Sequence, residues 1–244
     1  MVLEQQDVYI CSLGDSALVI QLGEGISSLI HNKIINIVDS LEADPFEGFI
    51  EAIPGYNNVT VFYDPVIVHL NNSQNMQPSP FKIVSDFMMF YIERSNKMIE
   101  TEKRLVEIPV SYGEELGPDL EYVAMFNNIT PEMVIKLHAQ KDYLIYMIGF
   151  APGFPHLGNI DKKITTPRKE KPRPRVSAGS VGIAGKQTGI YSLESPGGWQ
   201  VIGQTPVNLF NPKSAPPTLL KPGDKIRFIP ITKDEFISYK ENKQ

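Results

Sequence analysis

The sequence predicts an α+β amino-terminal domain, residues 1–95, followed by a mainly antiparallel β domain, residues 104–235. Two observations support this division. In the first part, β-rich runs are interleaved with apolar residues at helical spacing. In the second part, ten of the eighteen glycines fall between Met147 and Pro206, where they separate short apolar segments, a pattern typical of a barrel or a sandwich.

The first domain is expected to have the element order ββαββα. Two β-rich runs lie in residues 7–20, separated by a Gly14-Asp15 turn, and two more lie around residues 54–58. Apolar residues at helical spacing predict amphipathic helices over residues 27–41 and 81–92. Because helices that are apolar on one side must cover a sheet, a compact α+β domain is predicted.

The second domain begins, after a polar connector, with the strand-like segment LVEIPVSY. Residues 120–140 give the one convincing stretch of helix, within which Thr130 is expected to be an N-cap, with Pro131 and Glu132 in the first turn. The segment PGDKIRFIPI predicts a closing strand, and a short surface helix is expected after Thr232.

Composition excludes several classes of protein. A net charge of -5 and a pI near 5.5 argue against binding to nucleic acid or to an anionic membrane surface. Cys11 is the single cysteine, so no internal disulfide is expected, and its β-rich context is typical of a small buried hydrophobe. The amino terminus lacks the features of a secretory signal, and no apolar run approaches the roughly 18 residues of a membrane span. We therefore expect a cytoplasmic protein.

An unusual segment, GFAPGFPHLG at residues 149–158, combines three glycines and two prolines with Phe150, Phe154 and His156. Glycine and proline restrict the backbone in opposite ways, so the segment should be a loop with a defined, non-repeating shape. The aromatic residues either pack in the core or line a binding surface. His156 is either a packed residue or an acid, a base or a hydrogen-bond donor.

A second segment, TPRKEKPRPR at residues 166–175, is hereafter called the cationic arm. Its prolines prevent a helix and present the cations on an extended backbone. Arginine suits a carboxylate, a phosphate or the acidic face of a partner, although a solvated loop would have the same composition. The cations of the arm are Arg168, Lys169, Lys171, Arg173 and Arg175.

The segment VSAGSVGIAGKQTGIY, residues 176–191, resembles two catalytic motifs only superficially. Five residues rather than four separate Gly179 from Gly185, and Gln187 stands where a phosphate-binding loop needs Ser or Thr, so this segment should not bind ATP. Ser180 occupies the centre of a sequence like a nucleophile elbow, but the residues after it predict a strand rather than the required helix. No metal site is predicted, because no metal-ligand spacing is present.

Trp199, the only tryptophan, follows two glycines that allow close approach of the backbone to another surface. It is either a core residue or the wall of a pocket. We expect the aromatic residues and the cationic arm to line one groove that recognises small acids or protein surfaces.

The sequence resembles the allophanate hydrolase subunit 1 family, which is associated with the B component of bacterial 5-oxoprolinase. Three segments carry this resemblance, namely IGFAPGFPHLG, residues 166–206 and PGDKIRF. The resemblance implies an α+β domain followed by a cyclophilin-like β-barrel. It also implies that the protein is one component of an ATP-dependent 5-oxoprolinase complex and is inactive alone. Its partners would be the A and C components of 5-oxoprolinase, and the complex would use ATP to convert 5-oxoproline to glutamate.

The resemblance further implies site residues. His156 and Ser180 are the expected catalytic residues, and the carboxylate of 5-oxoproline would suit Arg173 or Arg175. Three positions depart from the family pattern: His156 replaces an aromatic Tyr or Phe, Ser177 replaces Pro, and Gln204 replaces Arg. The expected substrate-binding residues are Phe154, Arg168, Arg173, Arg175, Gln187, Tyr191 and Trp199.

Two other functions are compatible with the sequence. The family also includes the Kip inhibitor of a sporulation histidine kinase, so the chain is alternatively a regulatory module that blocks autophosphorylation of a sensor kinase. A stand-alone amidase that uses Ser180 and His156 is the second alternative.

Overall fold

The computed structural model describes residues 2–5, 8–72, 78–95 and 103–242 and divides into two compact units, Met1–Glu102 and Lys103–Gln244. Most of the predicted polar connector, residues 96–102, lies outside the described residues. The predicted fold class, an α+β unit followed by a mainly antiparallel β-barrel, is confirmed.

The first unit is a five-stranded antiparallel sheet with the strand order β1-β2-β3-β5-β4. The strands are β1 Val2–Gln5, β2 Val8–Ser12, β3 Ala17–Gln21, β4 Phe49–Pro54 and β5 Asn58–Tyr63. The helices are α1 Ser28–Ala43, α2 Pro65–Asn72 and α3 Pro80–Ser95. Buried residues of α1 and α3 pack with alternate residues of the strands in one apolar core, as the helical spacing predicts.

The expected order ββαββα is incomplete, because β1 and α2 are additional elements. The sequence does carry a signal for α2. Asp64 precedes Pro65, and its carboxylate accepts hydrogen bonds from the backbone N–H groups of Val66 and Ile67, at 2.9 and 3.0 Å. An acidic residue before a proline at the first helical position is a typical helix start.

The second unit contains a closed seven-stranded barrel with the order β10-β11-β8-β7-β14-β6-β13. Its strands are β6 Leu105–Tyr112, β7 Asp142–Ile148, β8 Pro155–Leu157, β10 Ser180–Ala184, β11 Gln187–Ile190, β13 Gln200–Gln204 and β14 Lys225–Pro230. The strands β9 Arg173–Val176 and β12 Ser195–Gly197 form a separate two-stranded sheet. The closing strand β14 pairs in parallel with β6, whereas its other neighbour, β7, is antiparallel to it.

The helical stretch predicted over residues 120–140 is two helices, α4 Leu120–Phe126 and α5 Pro131–Ala139. The chain turns between them through Asn128, whose φ of 54° lies in the left-handed region. The predicted cap of α5 is present, since the Thr130 hydroxyl accepts a hydrogen bond from Met133 N–H at 3.2 Å. The last helix, α6 Lys233–Glu241, begins with a capping box formed by Thr232 and Glu235.

Candidate functional site

The loop between β7 and β8 has the defined shape that its glycines and prolines predict. Gly149 N–H donates to Phe154 O at 3.1 Å, and Phe154 N–H donates to Ala151 O at 3.0 Å. Phe150 lies between them with a φ of 70°, a conformation that costs a bulky residue energy. Its side chain is 71% exposed, whereas Phe154 is 2% exposed. The loop therefore presents one phenylalanine to solvent and buries the other.

Phe154, Tyr191 and Trp199 form an aromatic cluster beneath this loop. The Phe154 ring lies edge-on to the Tyr191 and Trp199 rings, with centroid distances of 5.3 and 5.6 Å. All three side chains are buried, in a small core separate from that of the barrel. The sequence predicts that these residues are walls of a groove, and the structure places them instead as a packed base beneath more exposed residues.

The glycines near Trp199 have the predicted role. A Cβ atom on Gly197 would lie 2.2 Å from Tyr191 Oη, and one on Gly189 would lie 3.1 Å from both the Phe154 and Trp199 rings. No side chain fits at the first position without displacing the tyrosine. The backbone must therefore approach the aromatic cluster closely at these points.

His156, in β8, is half-buried against this cluster. Its ring centroid lies 4.8 Å from that of Phe154 and 6.3 Å from that of Trp199. Burial lowers the pKa of His156 below its usual value, and the nearby Arg168 charge lowers it further, while a hydrogen bond with the backbone of Gly149 opposes these effects. The imidazole is therefore neutral near pH 7 and is able to donate one hydrogen bond and accept another.

Asp119 binds two cations of the arm. Its carboxylate accepts from Arg173 in a bidentate arrangement, at 2.6 and 2.8 Å, and from Lys169 Nζ at 2.9 Å. It also accepts from Val201 N–H at 2.7 Å. Burial alone would raise the pKa of Asp119, but these hydrogen bonds outweigh it and lower that pKa below its ordinary value. The arm is thus fixed to the barrel by a buried carboxylate.

Arg168 is the cation of the arm that lies against the aromatic cluster. Its guanidinium carbon is 5.9 Å from the centroid of the Trp199 ring, a cation–π contact, and its charge reaches both His156 and Tyr191. Arg175, by contrast, is exposed and pairs with Glu194 at 2.6 Å.

The remaining predicted site residues lie on the barrel strands. Ser180 is buried at the start of β10, where its backbone is in register with Gln204 of β13. Gln187 is half-buried at the start of β11 and lies opposite Ala184. The ring and charge contacts of the structure bring together six of the predicted residues, namely Phe154, His156, Arg168, Arg173, Tyr191 and Trp199.

Sequence reasoning did not identify Asp119. It stands directly before α4, at a position typical of a helix N-cap, yet its side chain caps nothing and turns to the cationic arm. The signal in the sequence is indirect. An arm with five cations and no internal carboxylate other than Glu170 needs acidic partners from elsewhere in the chain.

We call His156, Arg168 and Phe150, together with the buried rings beneath them, the candidate site. A guanidinium, a neutral imidazole and an exposed aromatic ring together suit a small carboxylic acid that also has an apolar part. No cluster of three or more potential metal ligands is found in the described part of the chain. The helices of that part include none that is long and apolar enough to span a membrane.

Comparison with known proteins gives the family. The sequence matches the family described as carboxyltransferase domain, subdomain C and D, over residues 8–220. A relative from Bacillus subtilis, the B component of 5-oxoprolinase, is 47% identical, and the match covers 94% of this chain and 95% of the relative. The chain therefore belongs to the carboxyltransferase subdomain C and D family and, within it, to the proteins that form the B component of 5-oxoprolinase. The resemblance inferred from the sequence is confirmed.

Solved structures show the same fold. A conserved uncharacterized protein from Pyrococcus horikoshii is 41% identical, with a TM-score of 0.54, and the match covers 93% of this chain and 99% of that one. The urea amidolyase of K. lactis is only 18% identical and shares the fold alone, with a TM-score of 0.75 over 99% of this chain and 16% of that one.

Proposed function

We propose that this chain is one component of an ATP-dependent 5-oxoprolinase complex that opens 5-oxo-L-proline to L-glutamate, together with the A and C components. The observation that carries the proposal is the 47% identity to the Bacillus subtilis relative over nearly the full length of both proteins. The candidate site supports it, because 5-oxoproline is a small carboxylic acid with an apolar ring edge.

The proposed reaction explains why companions are needed. The lactam is a stable amide, so coupling to ATP hydrolysis is a chemically sensible way to drive its cleavage. The glycine-rich segment from Gly179 to Lys186 lacks the spacing of a phosphate-binding loop, so ATP is expected to be bound through the complex. His156, neutral near pH 7, has the protonation state required of a general base or of a hydrogen-bond donor to the substrate.

Reconstitution tests this function. The three components are purified separately and mixed with ATP, Mg²⁺ and 5-oxo-L-proline, and glutamate formation and ATP hydrolysis are measured. We expect both activities with the full set and neither with this chain alone. A full set that folds and associates but releases no glutamate would contradict the proposal.

A further inference from the structure

The cations of the arm differ in what they bind. Arg173 and Lys169 share the buried carboxylate of Asp119, and Arg175 pairs with Glu194. Arg168 forms no ion pair among the described residues, although it is exposed at the surface of the aromatic cluster. Arginine and lysine side chains whose charges are already neutralised by a carboxylate attract a further anion less strongly than an unpaired one. Of the arginines in the arm, Arg168 is therefore the one most open to an anionic ligand.

The backbone on both sides of Arg168 is held in place. Gln200 donates to Pro167 O at 3.0 Å, and Lys169 N–H donates to Gly198 O at 2.7 Å. The Lys169 side chain is in addition bound to Asp119. Arg168 therefore projects from a segment that is fixed immediately before and after it, which lowers the entropic cost of binding a ligand.

The groups around Arg168 would recognise the rest of a small acid. The Trp199 ring lies beneath the Arg168 guanidinium, and the His156 ring contacts the Trp199 ring edge-on. Phe150, mostly exposed, contacts the Phe154 ring edge-on at 5.5 Å and is able to cover an apolar ring edge. A planar guanidinium binds a carboxylate through two parallel hydrogen bonds, which lysine cannot form.

We infer that Arg168 binds the carboxylate of the substrate and that Asp119 acts as a positioning residue by fixing the arm that carries it. This inference rests on the proposed function for the identity of the acid, 5-oxo-L-proline. The sequence suggests Arg173 or Arg175 for binding the carboxylate. We assign this role instead to Arg168, because it is the one arginine of the arm that pairs with no carboxylate of the described residues.

Trp199 provides a direct test, because it is the only tryptophan and lies against Arg168. The full chain is titrated with 5-oxo-L-proline while tryptophan emission is recorded, and calorimetry supplies an independent Kd. We expect Arg168→Gln to weaken binding by about 10- to 100-fold, the effect of losing a charge-assisted hydrogen-bonded pair. Arg168→Lys should recover only part of the affinity, because it restores the charge without the planar fork.

Two controls separate this effect from a general one. Lys171→Gln removes the same charge from the same arm at an exposed residue and should leave the Kd unchanged. 2-Pyrrolidone, which is 5-oxoproline without its carboxylate, should bind at least about 10-fold more weakly and should be insensitive to Arg168→Gln. Near-ultraviolet circular dichroism confirms that each variant is folded.

The inference is overturned if Arg168→Gln and Lys171→Gln have the same Kd, if 2-pyrrolidone binds as tightly as 5-oxoproline, or if the wild-type chain shows no saturable binding. The proposed function fails separately, when the assembled components release no glutamate. An active complex whose KM for 5-oxoproline is unchanged by Arg168→Gln rejects only the assignment of this arginine.

Discussion

His138, in α5, is completely buried. The Thr188 hydroxyl donates its only proton to Gly182 O at 2.9 Å, so it must accept a hydrogen bond from His138 Nε2, which is 2.8 Å away. His138 Nδ1 then has a lone pair to accept a hydrogen bond from Tyr112 Oη, also at 2.8 Å. These contacts define a neutral imidazole with its proton on Nε2.

This residue makes the stability of the second unit depend on pH. Burial lowers the pKa of His138 from 6.5 to about 3. Above pH 6.5 the side chain is neutral in both the folded and the unfolded state, and its full contribution is present. Below that pH the unfolded state binds a proton that the folded state excludes, so stability falls until about pH 3. We expect the free energy of unfolding to decrease by about 2 kcal/mol between pH 7 and pH 5 from this residue.

Urea unfolding followed by Trp199 emission measures this effect, since Trp199 belongs to the same unit. His138→Gln removes the titrating group while keeping a neutral hydrogen-bonding side chain. Although this variant is expected to be less stable at pH 7, it should lose less stability between pH 7 and pH 5 than the wild type. Equal losses in the two proteins would show that His138 does not control this pH dependence.

The cationic arm is an element whose position depends on one residue. Asp119 is buried and neutralises Arg173 and Lys169, whose side chains are less than one third exposed. Asp119→Asn would leave both cations without a counter-ion, and removing one partner of a buried pair costs about 3 kcal/mol. We expect this loss in the free energy of unfolding, measured in urea by Trp199 emission. Trypsin should also cleave more rapidly beside Arg168 and Lys169.

Glu194→Gln is the matched control for this prediction. It also removes a carboxylate that binds an arginine of the arm, but the Arg175–Glu194 pair is exposed, and exposed pairs contribute less than about 1 kcal/mol. Asp119→Asn should therefore be clearly less stable than Glu194→Gln. If the two variants have equal stability and equal rates of cleavage by trypsin, Asp119 does not fix the arm.

Local signals in the sequence predict several elements well and others poorly. Thr130 is identifiable as the N-cap of α5, because an N-cap followed by Pro131 is a local pattern. The division of residues 120–140 into two helices is missed, although Thr130 and Pro131 mark the start of a second helix after the turn at Asn128. The ion pairs of Lys169 and Arg173 with Asp119 join residues 50 and 54 positions apart, so they depend on tertiary structure that no local pattern reveals.

In the candidate site, too, the sequence predicts some features and misses others. The sequence predicts that Phe154, His156, Arg168 and Trp199 lie together, and the structure brings them into contact. Composition does not indicate which of the two phenylalanines is buried. Phe154 is buried, whereas Phe150 is exposed and has a left-handed backbone conformation. A left-handed conformation is unusual for a bulky residue and is not encoded in spacing.

At the scale of the whole molecule, each of the two units has a hydrophobic core of its own. All residues of the candidate site, and Asp119, belong to the second unit. A compact unit with its own core is able in principle to fold alone. We therefore propose that the predicted domain boundaries, 1–95 and 104–235, correspond to independent folding units and that substrate recognition resides in the second.

A fragment of residues 103–242 tests this proposal. We expect it to unfold cooperatively in urea, with the blue-shifted emission of a buried Trp199, and to bind 5-oxo-L-proline with the Kd of the full chain, because the contacts of the site lie within these residues. The same fragment with Gly197→Ala is a useful control. Its added methyl group would lie 2.2 Å from Tyr191 Oη, so it should disturb the aromatic cluster and shift the emission to the red. A fragment with exposed tryptophan emission and no binding would show that the second unit depends on the first.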